Sequence, residues 1–206
     1  MRYEIHVPST YLLKIKAAEQ AVRTYHAEHL PDEPIEVAMD GQKFPSGENT
    51  NRPEQPFSII GLTEVEKAAR ERVSQIETAL VGRKSKQDVR RLIIAPESGL
   101  ELDIKRLGIY DRTVTVAKDI DTGESAVGTS DGVRFPLWDV IVTAFSEGGF
   151  KTHTVGETFS KRMAKRGIKV DKQDPYVAMG HESRGVYLEQ SARRALSKLP
   201  SRGAEN

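Results

Sequence analysis

The sequence predicts an α+β fold: an N-terminal βαββαβ sheet of the ferredoxin-like kind with two helices, then a β-hairpin and a helical, basic C-terminal part. Three observations predict it. The hydrophobic period switches in the order strand, helix, strand, strand, helix, strand over residues 1–95. Two capping-box patterns, Thr63 with Glu66 and Thr154 with Glu157, each precede an apolar helical stripe. The charge is also split, because residues 151–206 hold 12 Lys/Arg against 6 Asp/Glu and leave 19 and 24 to residues 1–150.

Tyr3, Ile5 and Val7 alternate with Glu4 and His6, which reads as a half-buried strand ended by Pro8. Ser9 or Thr10 is placed to cap a helix whose stripe is Leu12, Ile15, Ala18, Val22 and Tyr25. Ile35, Val37 and Met39 form a second strand, closed by Asp40-Gly41. Residues 45–56 lack apolar periodicity and are rich in turn-formers, so they read as a long exposed loop. Phe57, Ile59, Ile60 and Leu62 make a short apolar run. The helix after Thr63 buries Val65, Ala69, Val73, Ile76 and Leu80 and ends at Gly82, with Arg83, Lys84 and Lys86 near its negative end. Leu92, Ile93 and Ile94 are a strand before Pro96.

From residue 100 the texture is that of a hairpin, with alternation around Leu100, Leu102 and Ile104 and around Val114 and Val116, and a tight turn at residues 121–124. Leu137, Trp138, Ile141, Val142 and Phe145 predict a helix ending at Gly148-Gly149, and Val155, Phe159 and Met163 predict another. Leu188, Ala192, Ala195 and Leu199 mark the last helix, stopped by Pro200. The expected organisation is a split-βαβ scaffold over 1–97, a hairpin plus helix over 98–150, and a basic helical region over 151–206 with a frayed tail.

Composition excludes several chemistries. The 206 residues include no cysteine, which removes disulfides, thiolate zinc sites and cysteine nucleophiles. No apolar run approaches the roughly 20 residues that span a bilayer, and the N-terminus lacks a signal-peptide core, so a soluble cytoplasmic protein is expected.

The sharpest acidic group is Glu97, Glu101 and Asp103, with Lys105 two residues on. On a strand, Glu101, Asp103 and Lys105 share a face, as a magnesium-dependent phosphodiesterase requires; a solvated edge-strand face explains the same alternation, and Glu97 is expected in a turn. Asp119, Asp121 and Glu124 fail the calcium-loop pattern, since position twelve is Ser130. His26 and His29 lie three apart without a third ligand, and His153 and His181 stand alone. Residues 128–132 read as a connecting turn, because no helix opens on those glycines. Lys161, Arg162, Lys165 and Arg166 lie within two helical turns, Lys169 and Lys172 continue the charge, and Arg184, Arg193, Arg194 and Lys198 form a second cluster. Such density neutralises phosphates without any particular motif, and Tyr176 and Tyr187 are available for stacking.

The expected function is a non-enzymatic binding or regulatory protein whose basic helices contact nucleic acid or an acidic protein surface through Lys161, Arg162, Lys165, Arg166, Lys169, Arg193 and Arg194. The alternatives are a metal-dependent phosphodiesterase built on Glu101, Asp103 and Lys105, and a protein–protein adaptor or inhibitor acting through residues 45–56. No cofactor, metal or membrane contact is indicated.

Overall fold

The computed structural model describes residues 1–42, 55–59, 61–82, 88–171 and 174–200. Its elements are β1 (Arg2–Val7), α1 (Leu12–His29), β2 (Glu36–Gly41), β3 (Phe57–Ser58), α2 (Thr63–Leu80), β4 (Val89–Asp103), β5 (Gly108–Asp119), β6 (Ser125–Thr129), β7 (Val133–Arg134), α3 (Leu137–Ala144), α4 (Val155–Ala164) and α5 (Arg184–Leu196). Five α-helices and one mixed sheet among the described residues make this an α+β structure. The sheet runs β2-β1-β4-β5-β6, with β3 also on β4 and β7 also on β5.

The ferredoxin-like arrangement calls for an antiparallel sheet with both helices on one face. Here β1 is parallel to β2 on one side and to β4 on the other, while β4, β5 and β6 form an antiparallel meander. The two helices also part company. α1 packs with α5 over Tyr3, Ile5, Val7, Leu92 and Ile94, whereas α2 covers Ile93, Ala95 and Val116 on the opposite face. Covering on both faces explains why residues 92–95 are an unbroken buried run rather than an alternation.

Other expectations shift in detail. β4 does not stop before Pro96 but continues through it to Asp103, pairing with β5 along its whole second half. Thr63 is the first residue of α2 and makes no capping bond; the Glu66 N–H donates instead to the Leu62 carbonyl. Neither Ser9 nor Thr10 caps α1, whose flanking residue is Tyr11. The Thr154–Glu157 capping box at α4 is present with both of its bonds. Of the expected core, Leu12 and Ile59 are exposed, while Ile5, Val22, Val73, Ile76 and Ile93 are buried. Most of the loop assigned to 45–56 and the basic residues Arg83, Lys84, Lys86 and Lys172 lie outside the described residues, as does the tail 201–206.

The C-terminal segment closes onto the N-terminal sheet. α5 lies against α1 and β6, burying Leu188, Ala192, Ala195 and Leu196. Gly128 permits this approach: a Cβ there would stand 2.1 Å from the Ser191 carbonyl oxygen. A third cluster, formed by Leu100, Val133, Phe135, Val140, Val155 and Tyr176, holds α3 and α4 against the far end of the hairpin. No helix among the described residues is long and apolar enough to cross a membrane.

Candidate functional site

The long strand β4 creates an interruption in the sheet. On the edge away from β5 it pairs with β1 at residues 89–93 and with β3 at residues 100–101. Between them, residues 94–99 have no strand paired on that edge among the described residues. This gap lies beyond the carboxyl end of β1, and the helices that follow β1 and precede β4 lie on opposite faces of the sheet, although α2 itself enters β4 at the other end, beside Arg2. In open sheets with parallel strands, the crevice beyond the strand ends at such a switch point is where ligands bind.

Glu97 occupies the gap. Its Oε2 accepts from Lys14 Nζ at 3.3 Å and its Oε1 accepts from Arg72 Nε at 3.2 Å. Lys14 stands in the first turn of α1 and Arg72 on α2, so one carboxylate is held by cations from helices on opposite faces of the sheet. Only where β1 has ended can both side chains reach it. All three side chains are largely buried. Burial pushes the Lys14 ammonium below the usual lysine range, against the pull of Glu97. Burial also pushes the Glu97 carboxyl up, but Lys14 and Arg72 outweigh it and hold the group below the usual carboxylate range.

A second buried group adjoins the first. Arg184, the first residue of α5, faces Tyr176, Asp111, Tyr11 and Glu97, and its Nε is buried without a hydrogen-bond partner. The start of α5 is fixed by Asp174, which accepts from Ser183 Oγ at 2.5 Å and from the Arg184 N–H at 2.9 Å. Asp111 on β5 is buried, with Oδ1 unpartnered; burial raises its pKa to about 6, opposed by Arg184 and Tyr176. The Tyr176 hydroxyl is likewise buried, against Asp111, and burial followed by the Asp111 charge drives its pKa well up.

Lys14, Arg72 and Arg184 thus come from three helices to one place, against the carboxylates of Glu97 and Asp111. The strand-to-helix loop adds further donors. No side chain caps α1, and the loop leads in through Ser9, whose Oγ accepts from the Tyr11 N–H at 3.0 Å. The start of this 18-residue helix has no side-chain cap, and Lys14 in its first turn reaches Glu97 in the gap.

The residues singled out in the sequence fall elsewhere, with three exceptions, of which Tyr176 beside Asp111 and Arg184 is one. Glu97 is in the middle of a strand and at the centre of the cluster, not in a turn, and Arg184 belongs to the same cluster. Glu101 and Asp103 do share a face, but Arg112 fills the space between them, 3.1 Å from Glu101 Oε2 and 2.7 Å from Asp103 Oδ2. Lys105 is exposed in the hairpin turn. One guanidinium is thus shared by both acids.

The remaining candidates have local partners. Asp119 pairs with Arg90 at 2.9 Å in the interior, and Asp121 pairs with Arg91 at 2.6 Å. His26 bonds to Tyr3 and to the Glu33 carbonyl, and His29 to the Tyr25 carbonyl. No group of three metal-ligating side chains occurs among the described residues. Tyr176 and Tyr187 are packed edge to face on each other at 5.4 Å, so Tyr176 is a core residue and not a stacking platform. Within the basic set, Arg162 makes a two-pronged pair with buried Asp139, Arg193 pairs with Glu28 at 2.5 Å, and Arg194 with Asp131 at 2.9 Å. All three acids belong to residues 1–150. Lys161, Lys165, Arg166 and Lys169 are exposed and make no ion pair among the described residues.

Lys14, Arg72 and Asp111 were not singled out from the sequence. A signal was available for Lys14: a lysine in the first turn of a helix that follows a strand and two hydroxyl residues. No local pattern marks Arg72 or Asp111, whose importance comes from the sheet topology.

No family model matches the chain, and no curated protein matches its sequence. Among solved structures, protein VC0702 from Vibrio cholerae is similar over 96% of this chain and 94% of its own, with a TM-score of 0.62 and 17% sequence identity. That likeness shows the fold.

Proposed function

We propose that this chain binds a phosphate-bearing small molecule at the sheet gap around Glu97. The observation that supports this most is the convergence of Lys14, Arg72 and Arg184 on a partly buried site beside the uncapped start of α1. A buried excess of donors is costly unless an anion meets it, and phosphate oxygens suit both guanidinium forks and helix amides. Glu97 uses one oxygen for each of Lys14 and Arg72, which fixes both cation heads and leaves Arg184 Nε as a free donor. Titration calorimetry with inorganic pyrophosphate tests this reading. The wild-type chain should bind, and Arg184→Gln should weaken binding at least tenfold, as loss of a charged hydrogen bond implies. Absence of heat with wild type, or equal affinity in the variant, would reject it.

A second reading, contact with nucleic acid or an acidic protein surface, rests on the exposed cations Lys161, Lys165, Arg166 and Lys169. Arg162, Arg193 and Arg194 of the same set are paired with Asp139, Glu28 and Asp131, the last two pairs at the exposed surface.

A further inference from the structure

Helix α3 has its polarity reversed. Its inward positions are Asp139, Val140 and Thr143; Asp139 is fully buried against Arg162, and the Thr143 hydroxyl is bonded to Thr158 at 2.7 Å and to the Asp139 carbonyl at 2.8 Å. Its outward positions are Leu137, Trp138, Ile141, Val142 and Ala144, followed by Phe145, and none of them is polar. Leu137 is 62% exposed, Trp138 65% and Phe145 88%, and Ile141 and Val142 extend the same surface. A surface helix ordinarily turns its apolar stripe inward. Here the polar contacts to α4 hold the helix so that its apolar stripe faces out.

We infer that this face is covered by the same face of a second copy, in a two-fold dimer with the two α3 helices packed against each other. Size and composition favour that occupant. With aromatic side chains offering ~150–250 Å² each, the patch amounts to roughly 500–600 Å², at the top of what a monomer ordinarily exposes. Two such patches bury about 1,000–1,200 Å², which reaches the roughly 1,000 Å² that a specific interface needs. The stripe carries no charge that a complementary partner of different sequence would have to match. Homodimer interfaces are the class that most resembles a core cut in half. A single stripe of Trp138, Ile141, Val142 and Phe145 is also self-complementary under a two-fold axis, since each aromatic ring can lie over the branched side chains of the opposite helix.

The test is sedimentation equilibrium on the full chain over a hundredfold range of concentration, read alongside tryptophan fluorescence. Trp138 is the only tryptophan, so its emission reports on this face alone. The dimer predicts a mass of twice 22.9 kDa at high concentration, with blue-shifted emission that moves to the red on dilution. Phe145→Glu, at a position 88% exposed in the monomer, should give a monomer with unchanged circular dichroism and red emission. A wild-type chain that stays monomeric throughout overturns the inference. So does blue-shifted emission from a monomer, because the face would then be covered by the chain itself.

Discussion

Asp111 is a carboxyl group placed where its charge is poorly met. It is buried on β5, one oxygen has no partner, and its pKa is raised to about 6. Because the folded value lies above that of the unfolded chain, near 3.9, folding takes up a proton between these limits and stability falls as pH rises from about 4 to about 6. Asp111→Asn should therefore be more stable than wild type at pH 7 by about 1–3 kcal/mol, with a flatter urea-denaturation profile across that window. Equal stability at pH 7 would mean that Arg184 and Tyr176 satisfy the carboxylate fully. Glu97 behaves in the opposite sense, since its folded value is depressed: its contribution is present at neutral pH and lost as pH falls below the usual carboxylate range. At this scale the sequence was a poor guide. Nothing local distinguishes Asp111 from Asp103, and only the long-range pairing of strands and helices sorts one into the interior and leaves the other against Arg112 at the hairpin end.

At the level of elements, much was readable. The stripes of α2, α4 and α5 and the capping box of α4 follow directly from residue spacing, and the buried positions Val65, Ala69, Val73, Ile76 and Leu80 are those the α2 pattern names. The misreadings have a common cause. Pro96 reads as a strand end because it cannot donate to a ladder, yet the β1 ladder has already ended on one edge of β4, and the β3 contact begins only at Leu100. The contact between α5 and β6 was also hidden, because it depends on the absence of a side chain. Gly128→Ala should force α5 away from the sheet, since the added Cβ meets the Ser191 carbonyl oxygen and the Ala195 nitrogen, both backbone atoms. A loss of about 1–3 kcal/mol is expected, typical of overpacking, measured by thermal or urea unfolding. A neutral result would show that the helix can shift without cost.

On the scale of the whole molecule, the decisive feature is the order β2-β1-β4, with parallel pairing on both sides of β1. A string of alternating elements is compatible with that order and with the ferredoxin-like one, so the class was legible and the topology was not. The continuous apolar run at residues 92–95 was the one clue that helices lie on both faces. The charge split has a similar explanation. Arg162, Arg193 and Arg194 bind Asp139, Glu28 and Asp131, so part of the excess positive charge in the C-terminal segment fastens it to the acidic remainder. What topology adds is a place where Lys14, Arg72 and Arg184 meet. The most direct test is amide chemical-shift mapping of the full chain during titration with inorganic pyrophosphate. Binding at the gap predicts saturable shifts in Thr10, Tyr11, Leu12 and Leu13 at the start of α1, together with Glu97 and Gly185. Shifts confined to residues 161–169, or none at all, would contradict the account.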